Sequence, residues 1–153
     1  MLAPDLPGHG MDTRSVFDAV AFADELAAQI TLPANIVAWS LGGQVALQLA
    51  ARHPDKVASL CLCATFAKLL QTDGYDAGLV QSRLLGIVPV FQADYAKAMT
   101  QFLQLQILYT PERKAALTAI LPAVTACPVP AALESAQAYA QLADVRALLA
   151  NTN

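Results

Sequence analysis

An apolar run over residues 35–39 (N-I-V-A-W) leads without a loop into Ser40-Leu41-Gly42-Gly43, and residues 42–52 then read as a helix. The run is short and carries β-branched residues, as a buried parallel strand does. A strand that passes directly into a helix leaves one residue at the corner, here Ser40. Such a corner forces strained dihedrals on its middle residue and pushes that side chain out above the sheet. Small residues two positions before and after relieve the crowding, and Ala38 and Gly42 stand there. The helix that follows aims its first N–H groups at the corner, where they can stabilise negative charge. Ser40 therefore reads as a nucleophile and the Leu41 N–H as an oxyanion donor. The plainer alternative makes Ser40 the N-cap of an ordinary βα loop.

The flanking segments place this corner in an α/β arrangement. Residues 56–64 (K-V-A-S-L-C-L-C-A) read as a second buried strand, and Leu2 and Ala3 as the tail of a third. Val16, Val20, Ala23, Ala27 and Ile30 recur at steps of three and four, which is the period of a helix face, and Pro33 ends that helix. In residues 42–52 Gly43, Ala46 and Ala50 form one small-residue face, closed by Pro54. Strand, helix, strand, helix, strand is the order of a parallel sheet. After Phe66 the pattern turns helical. One helix is expected over 78–88 and a second over 94–109, with Tyr95, Met99, Phe102 and Gln106 on one face. A third starts at Thr110-Pro111-Glu112 and places Leu117, Ile120, Leu121 and Val124 together. A fourth, rich in alanine, runs to about Leu142 after the break at Pro128 and Pro130. Three regions are thus expected: a partial α/β core over 1–65, a helical lid over 66–142, and the start of a return to the core over 143–153. The 31 alanines and 23 leucines suit so helical a chain.

Charge and composition exclude several classes. A net charge of −3 with scattered Lys and Arg argues against a nucleic-acid groove. No apolar run reaches the length of a membrane span, about 20 residues, and residues 1–5 do not resemble a secretory signal. Cys61, Cys63 and Cys127 are expected as buried thiols of a reducing compartment, which points to the cytoplasm. Cys61 and Cys63, two apart on a strand, should point the same way. No metal-ligand spacing is present, and neither a metal nor another cofactor is expected. The two histidines are His9 and His53. His9 lies in the turn-rich loop Asp5-Leu6-Pro7-Gly8-His9-Gly10 and is read as a packing residue. His53 closes the helix after Ser40, roughly 16 Å from the corner at 1.5 Å per residue.

The corner and the loop before it together resemble the α/β-hydrolase family, with A-x-S-x-G here in place of the usual G-x-S-x-G. Trp39-Ser40-Leu41-Gly42-Gly43-Gln44 and its continuation to Val57 are similar to the bacterial pimeloyl-acyl-carrier-protein methyl ester esterases of biotin synthesis. So is Phe102-Leu103-Gln104-Leu105-Gln106, close to that family's F-L-A-L-Q lid run. The resemblance implies a partial α/β-hydrolase parallel sheet with an inserted four-helix lid. It further implies a serine carboxylesterase: Ser40 attacks an acyl methyl ester, the Leu41 N–H receives the oxyanion, methanol leaves and water releases the acid. Trp39, Ser40, Leu41 and Phe102, Leu103, Gln104, Leu105, Gln106 would line the acyl site. Lys97, Arg113 and Lys114, with Arg83 as a further basic residue of the lid, would meet an acidic acyl carrier protein.

In the resembled family the triad acid and histidine follow the lid. No histidine lies beyond His53, and Asp144 sits where the chain would turn back to the core. The resembled middle region is therefore expected to be inactive by itself, and its three-stranded sheet to expose strand edges and associate. Other members of the class, lactonases or C–C hydrolases, share the corner. A non-catalytic, hydrolase-derived helical binding module is the alternative outside enzymes.

Overall fold

The computed structural model describes residues 1–126 and 129–149, so Cys127 and Pro128 lie outside the described residues. Helix α1 (Ala19–Gln29) begins at Asp18, whose carboxylate accepts from the Val20 and Ala21 N–H groups (2.9 and 3.0 Å). Val16 is excluded from this helix and exposed; Phe17 takes the inward position instead. Replacing Asp18 by alanine is expected to lower unfolding stability by about 0.5–2 kcal/mol, read from the urea midpoint, because two N–H groups lose their acceptor.

Strand β1 (Ala34–Trp39) is followed by α2 (Gly42–Arg52) and β2 (Val57–Cys63). The two strands pair in parallel, with Trp39 opposite Cys63 and Val37 opposite Cys61. Both α1 and α2 pack on one side of the sheet. Phe17, Ala19, Phe22, Ala23 and Ala27 meet Val45 and Leu49 there, with Ile36 and Leu41 against them. The expected tail strand at Leu2 and Ala3 is absent, since no ladder beside it holds residues 1–6 extended. The sheet of the described residues is therefore two-stranded, not three-stranded.

The strands are also less buried than their composition suggests. They alternate, with Ala38 inward and Val37 and Trp39 outward at 75% and 51% exposure. Cys61 and Cys63 point the same way as expected, Sγ to Sγ 3.9 Å, but both are exposed rather than buried. The reason is that they share the sheet face opposite α1 and α2.

Beyond β2 come α3 (Gln81–Ala93), α4 (Tyr95–Gln106), α5 (Arg113–Val124), α6 (Pro130–Leu142) and a last turn α7 (Arg146–Leu149). Four helices over 81–142 match the expected number. Their details differ. Helix α4 starts on Asp94, which caps the Lys97 N–H at 3.0 Å, and its buried residues are Ala98 and Leu103. Helix α5 starts after Glu112, so Thr110 and Pro111 form the preceding turn rather than its cap and first residue. None of its residues is fully buried: Leu117, Leu121 and Val124 are half-buried and Ile120 is exposed.

Helix α6 docks back on the core. Tyr139 stacks edge-on against Phe17 at 5.2 Å, and Ala132 and Ala136 are buried. The loop over residues 5–10 receives its start. Gly8 (φ +78°) accepts from the Val129 N–H at 2.8 Å, and a Cβ at Gly8 would lie 2.0 Å from that of Ala132. His9 belongs to this joint, its Nδ1–H donating to the Pro7 carbonyl at 3.0 Å.

Candidate active site

Ser40 has φ +50°, the left-handed region that a side-chain-bearing residue rarely occupies. Holding it there costs about 1–3 kcal/mol, and such strain persists only where the surroundings over-determine it. Three hydrogen bonds do so. The Ser40 N–H donates to the Cys63 carbonyl (3.0 Å), and the Ser40 carbonyl accepts from the Gly43 N–H (3.0 Å) and the Thr65 hydroxyl (2.6 Å). The corner is thus locked to the end of β2, the neighbouring parallel strand.

Leu41 takes helical dihedrals (φ −60°, ψ −33°) at the N-cap of α2, with no side-chain cap. The plainer reading of Ser40 as a capping residue therefore fails. Ser40 stands one place before the cap, in the strained corner itself. The Leu41 N–H is among the groups a helix start leaves without an intrahelical acceptor, so it can serve an oxyanion.

The role given to the glycines shifts by one. A Cβ at Gly42 would meet nothing within 4 Å, whereas one at Gly43 would lie 2.0 Å from Thr65 Oγ1 and 2.5 Å from Thr65 Cβ. Gly43 is the residue that must be small. Thr65 and Gln44 were not singled out by pattern reading. Gln44 is 0% exposed, and its amide donates to the Phe66 carbonyl. A glutamine in the buried run from Gly43 to Leu47 was the available signal.

The remaining candidates divide into two groups. Trp39 is half-exposed at the end of β1, next to Ser40 and across from Cys63. On the helices, Gln104 and Leu105 line a groove of about 890 Å³ between α4 and α5, together with Arg113, Lys114, Leu117 and Leu121. The structure thus brings two acyl-site candidates and two carrier-contact candidates to one place. Leu103 is buried within the helical layer, Phe102 is 37% exposed, and Gln106 is exposed at the end of α4. Lys97 sits in the first turn of α4, outside the residues lining that groove.

The hydrogen-bond partners of both histidines lie outside the corner: His9 pairs with the Pro7 carbonyl and His53 with Asp24. His53 ends α2, the helix that Leu41 begins, and its Nε2 lies 2.6 Å from Asp24. The Asp24 carboxyl is lowered to about 2, first by the Arg52 guanidinium and then by His53. Asp144 is engaged by Arg146 (2.7 Å) and Lys68 (3.1 Å), which hold it well below the usual carboxylate range. It ties the loop after β2 to residue 146. Among the described residues no cluster of three or more metal-ligating side chains is present. Among the described residues no helix is long and apolar enough to cross a membrane.

A residue strained to positive φ between a parallel strand and a helix start has the backbone geometry of the corner in a hydrolase fold. The chain matches the alpha/beta hydrolase family over residues 1–152 and belongs to it. It is 52% identical over 148 residues to a pimeloyl-[acyl-carrier protein] methyl ester esterase of Neisseria meningitidis serogroup C, covering 96% of this chain and 58% of that protein. To the protein of the same name in Chromobacterium violaceum it is 37% identical over 94% of this chain and 57% of the relative. The chain therefore spans somewhat under three-fifths of the length of these relatives. An esterase from Exiguobacterium antarcticum superposes with a TM-score of 0.81 at 20% identity, over 97% of this chain and 58% of that one, which supports the fold.

Proposed function

We propose that this chain carries the nucleophile and the helical lid of a serine carboxylesterase that hydrolyses pimeloyl-acyl-carrier-protein methyl ester. The observation that carries the reading is Ser40 at φ +50° directly before a helix start. The 52% identical relative of that name supports the choice of substrate. In this reaction Ser40 Oγ attacks the ester carbonyl, the Leu41 N–H stabilises the developing oxyanion, and methanol departs. Water then attacks the acyl-serine and frees the carboxylic acid. The proton-transfer histidine and its acid are assigned to the part of the relatives' length outside the match, because His9 and His53 are both engaged elsewhere.

Residues 66–142 would act as the lid. Its α4–α5 groove offers Leu105, Leu117 and Leu121 to an acyl arm and Arg113 and Lys114 to an acidic carrier. Exposed free thiols at Cys61 and Cys63 suit a reducing compartment, and we place the protein in the cytoplasm. The decisive experiment follows methanol release from pimeloyl-acyl-carrier-protein methyl ester by the whole gene product. Free pimelate ester with no turnover of the carrier-linked one would refute the substrate assignment. Charge reversal at both Arg113 and Lys114 is expected to raise KM for the carrier-linked ester about tenfold, while KM for the free ester moves less than twofold. Equal changes on the two substrates would remove these residues from carrier recognition.

A further inference from the structure

The segment directly after β2 turns as sharply as the corner it faces. Ala64 has φ +48°, and with Ser40 it makes up the non-glycine residues at positive φ among those described. Two side-chain hydrogen bonds tie this segment to the corner and its helix. The Thr65 hydroxyl donates to the Ser40 carbonyl at 2.6 Å. The Gln44 amide, one helical turn beyond Ser40, donates to the Phe66 carbonyl. Gln44 is completely buried in a helix whose neighbours Val45 and Leu47 are apolar, a placement a polar amide tolerates only when its hydrogen bonds are met. Its carbonyl faces the Tyr139 hydroxyl of α6 at 3.5 Å, so the amide is held from behind. Space has been cleared for the same contact, since Gly43 lacks the Cβ that would collide with Thr65.

We propose that Thr65 and Gln44 are positioning residues for Ser40: they clamp residues 64–66 against the corner, hold Ser40 in its left-handed conformation and aim the Leu41 N–H. This rests on the reading of Ser40 as an ester-cleaving nucleophile. Neither residue touches the ester. Thr65 acts through the Ser40 carbonyl, and Gln44 through the Phe66 carbonyl of the segment that carries Thr65. Loss of the grip lets the corner relax towards ordinary dihedrals, which swings both the hydroxyl and the oxyanion donor out of register.

The test compares Thr65→Ala with Thr65→Ser in the whole gene product, on a p-nitrophenyl ester. The alanine variant is expected to lose about ten- to hundredfold in kcat with KM within twofold, as a small misplacement of reacting groups does. The serine variant keeps the hydroxyl and is expected to return to within about threefold of the parent. Gln44→Glu adds a pH readout. An ionised carboxylate cannot donate to the Phe66 carbonyl, whereas the protonated form can. The kcat of this variant relative to the parent should therefore climb as pH falls. Amide hydrogen exchange over residues 40–43 should quicken in Thr65→Ala, a result that needs no catalysis. Parent-like kcat and exchange in Thr65→Ala, or equal losses in the serine and alanine variants, would overturn the clamp. Turnover that survives Ser40→Ala would instead overturn the nucleophile, and the exchange measurement would still decide the clamp.

Discussion

Ser40→Ala is expected to abolish ester hydrolysis by the whole gene product, lowering kcat by at least about a thousandfold, the scale on which triad serines fail when removed. The protein should remain folded. The Ser40 side chain caps nothing, and its backbone bonds to Cys63, Thr65 and Gly43 are kept by alanine. Ser40→Gly sharpens the test. Glycine accepts φ +50° without steric cost, so this variant should be as inactive as alanine yet melt no lower than the parent. Hydrolysis of p-nitrophenyl butyrate, alongside thermal unfolding, reads both. Activity in either variant would show that the serine occupies a strained corner for some other purpose.

Gly43→Ala and Gly42→Ala should part company although the two glycines are adjacent. A Cβ at position 43 falls 2.0 Å from Thr65 Oγ1, 2.5 Å from its Cβ and 2.9 Å from its Cγ2. Thr65 cannot rotate out of the way, because its own Cβ is among the colliding atoms. The segment after β2 must move, and the bond to the Ser40 carbonyl goes with it. A loss of about 1–3 kcal/mol is expected, the usual cost of overpacking, together with a fall in kcat. At position 42 the added methyl meets open space, and alanine is the better helix former by up to about 1 kcal/mol. Gly42→Ala should be neutral or slightly stabilising. Urea midpoints of the two variants measure the difference, and equal midpoints would refute the crowding at Gly43.

Much of this arrangement was legible in local pattern. The strand over 35–39 ends where the structure ends it, at Trp39, and residues 42–52 form the expected helix without a shift. The expected small-residue face of α2, Gly43, Ala46 and Ala50, is the one that the fold buries. Errors arose where an outcome depended on what lies across the sheet or between helices. The apolar run around Cys61 and Cys63 suggests burial, but burial needs a layer above them, and both are exposed. The spacing puts Tyr95, Met99, Phe102 and Gln106 on one face, but the residues of α4 that the fold buries are Ala98 and Leu103. The start of α5 moved past Thr110 and Pro111 because a turn closed there first, with the Arg113 N–H donating to the Thr110 carbonyl.

What the sequence alone determined about this protein is the corner: a β-branched strand that meets a helix with no loop between must place its one intervening residue, Ser40, in a strained and projecting position. That follows from backbone geometry over a few residues and needs no distant partner. The tertiary structure decided how the corner is held. Thr65 and Phe66 come from 25 and 22 residues beyond the groups they bond, and Tyr139 from 95 residues beyond Gln44. It also decided which of two glycines must be small, because crowding is a property of what the parallel pairing of β1 and β2 brings alongside, and a linear pattern carries no record of that neighbour.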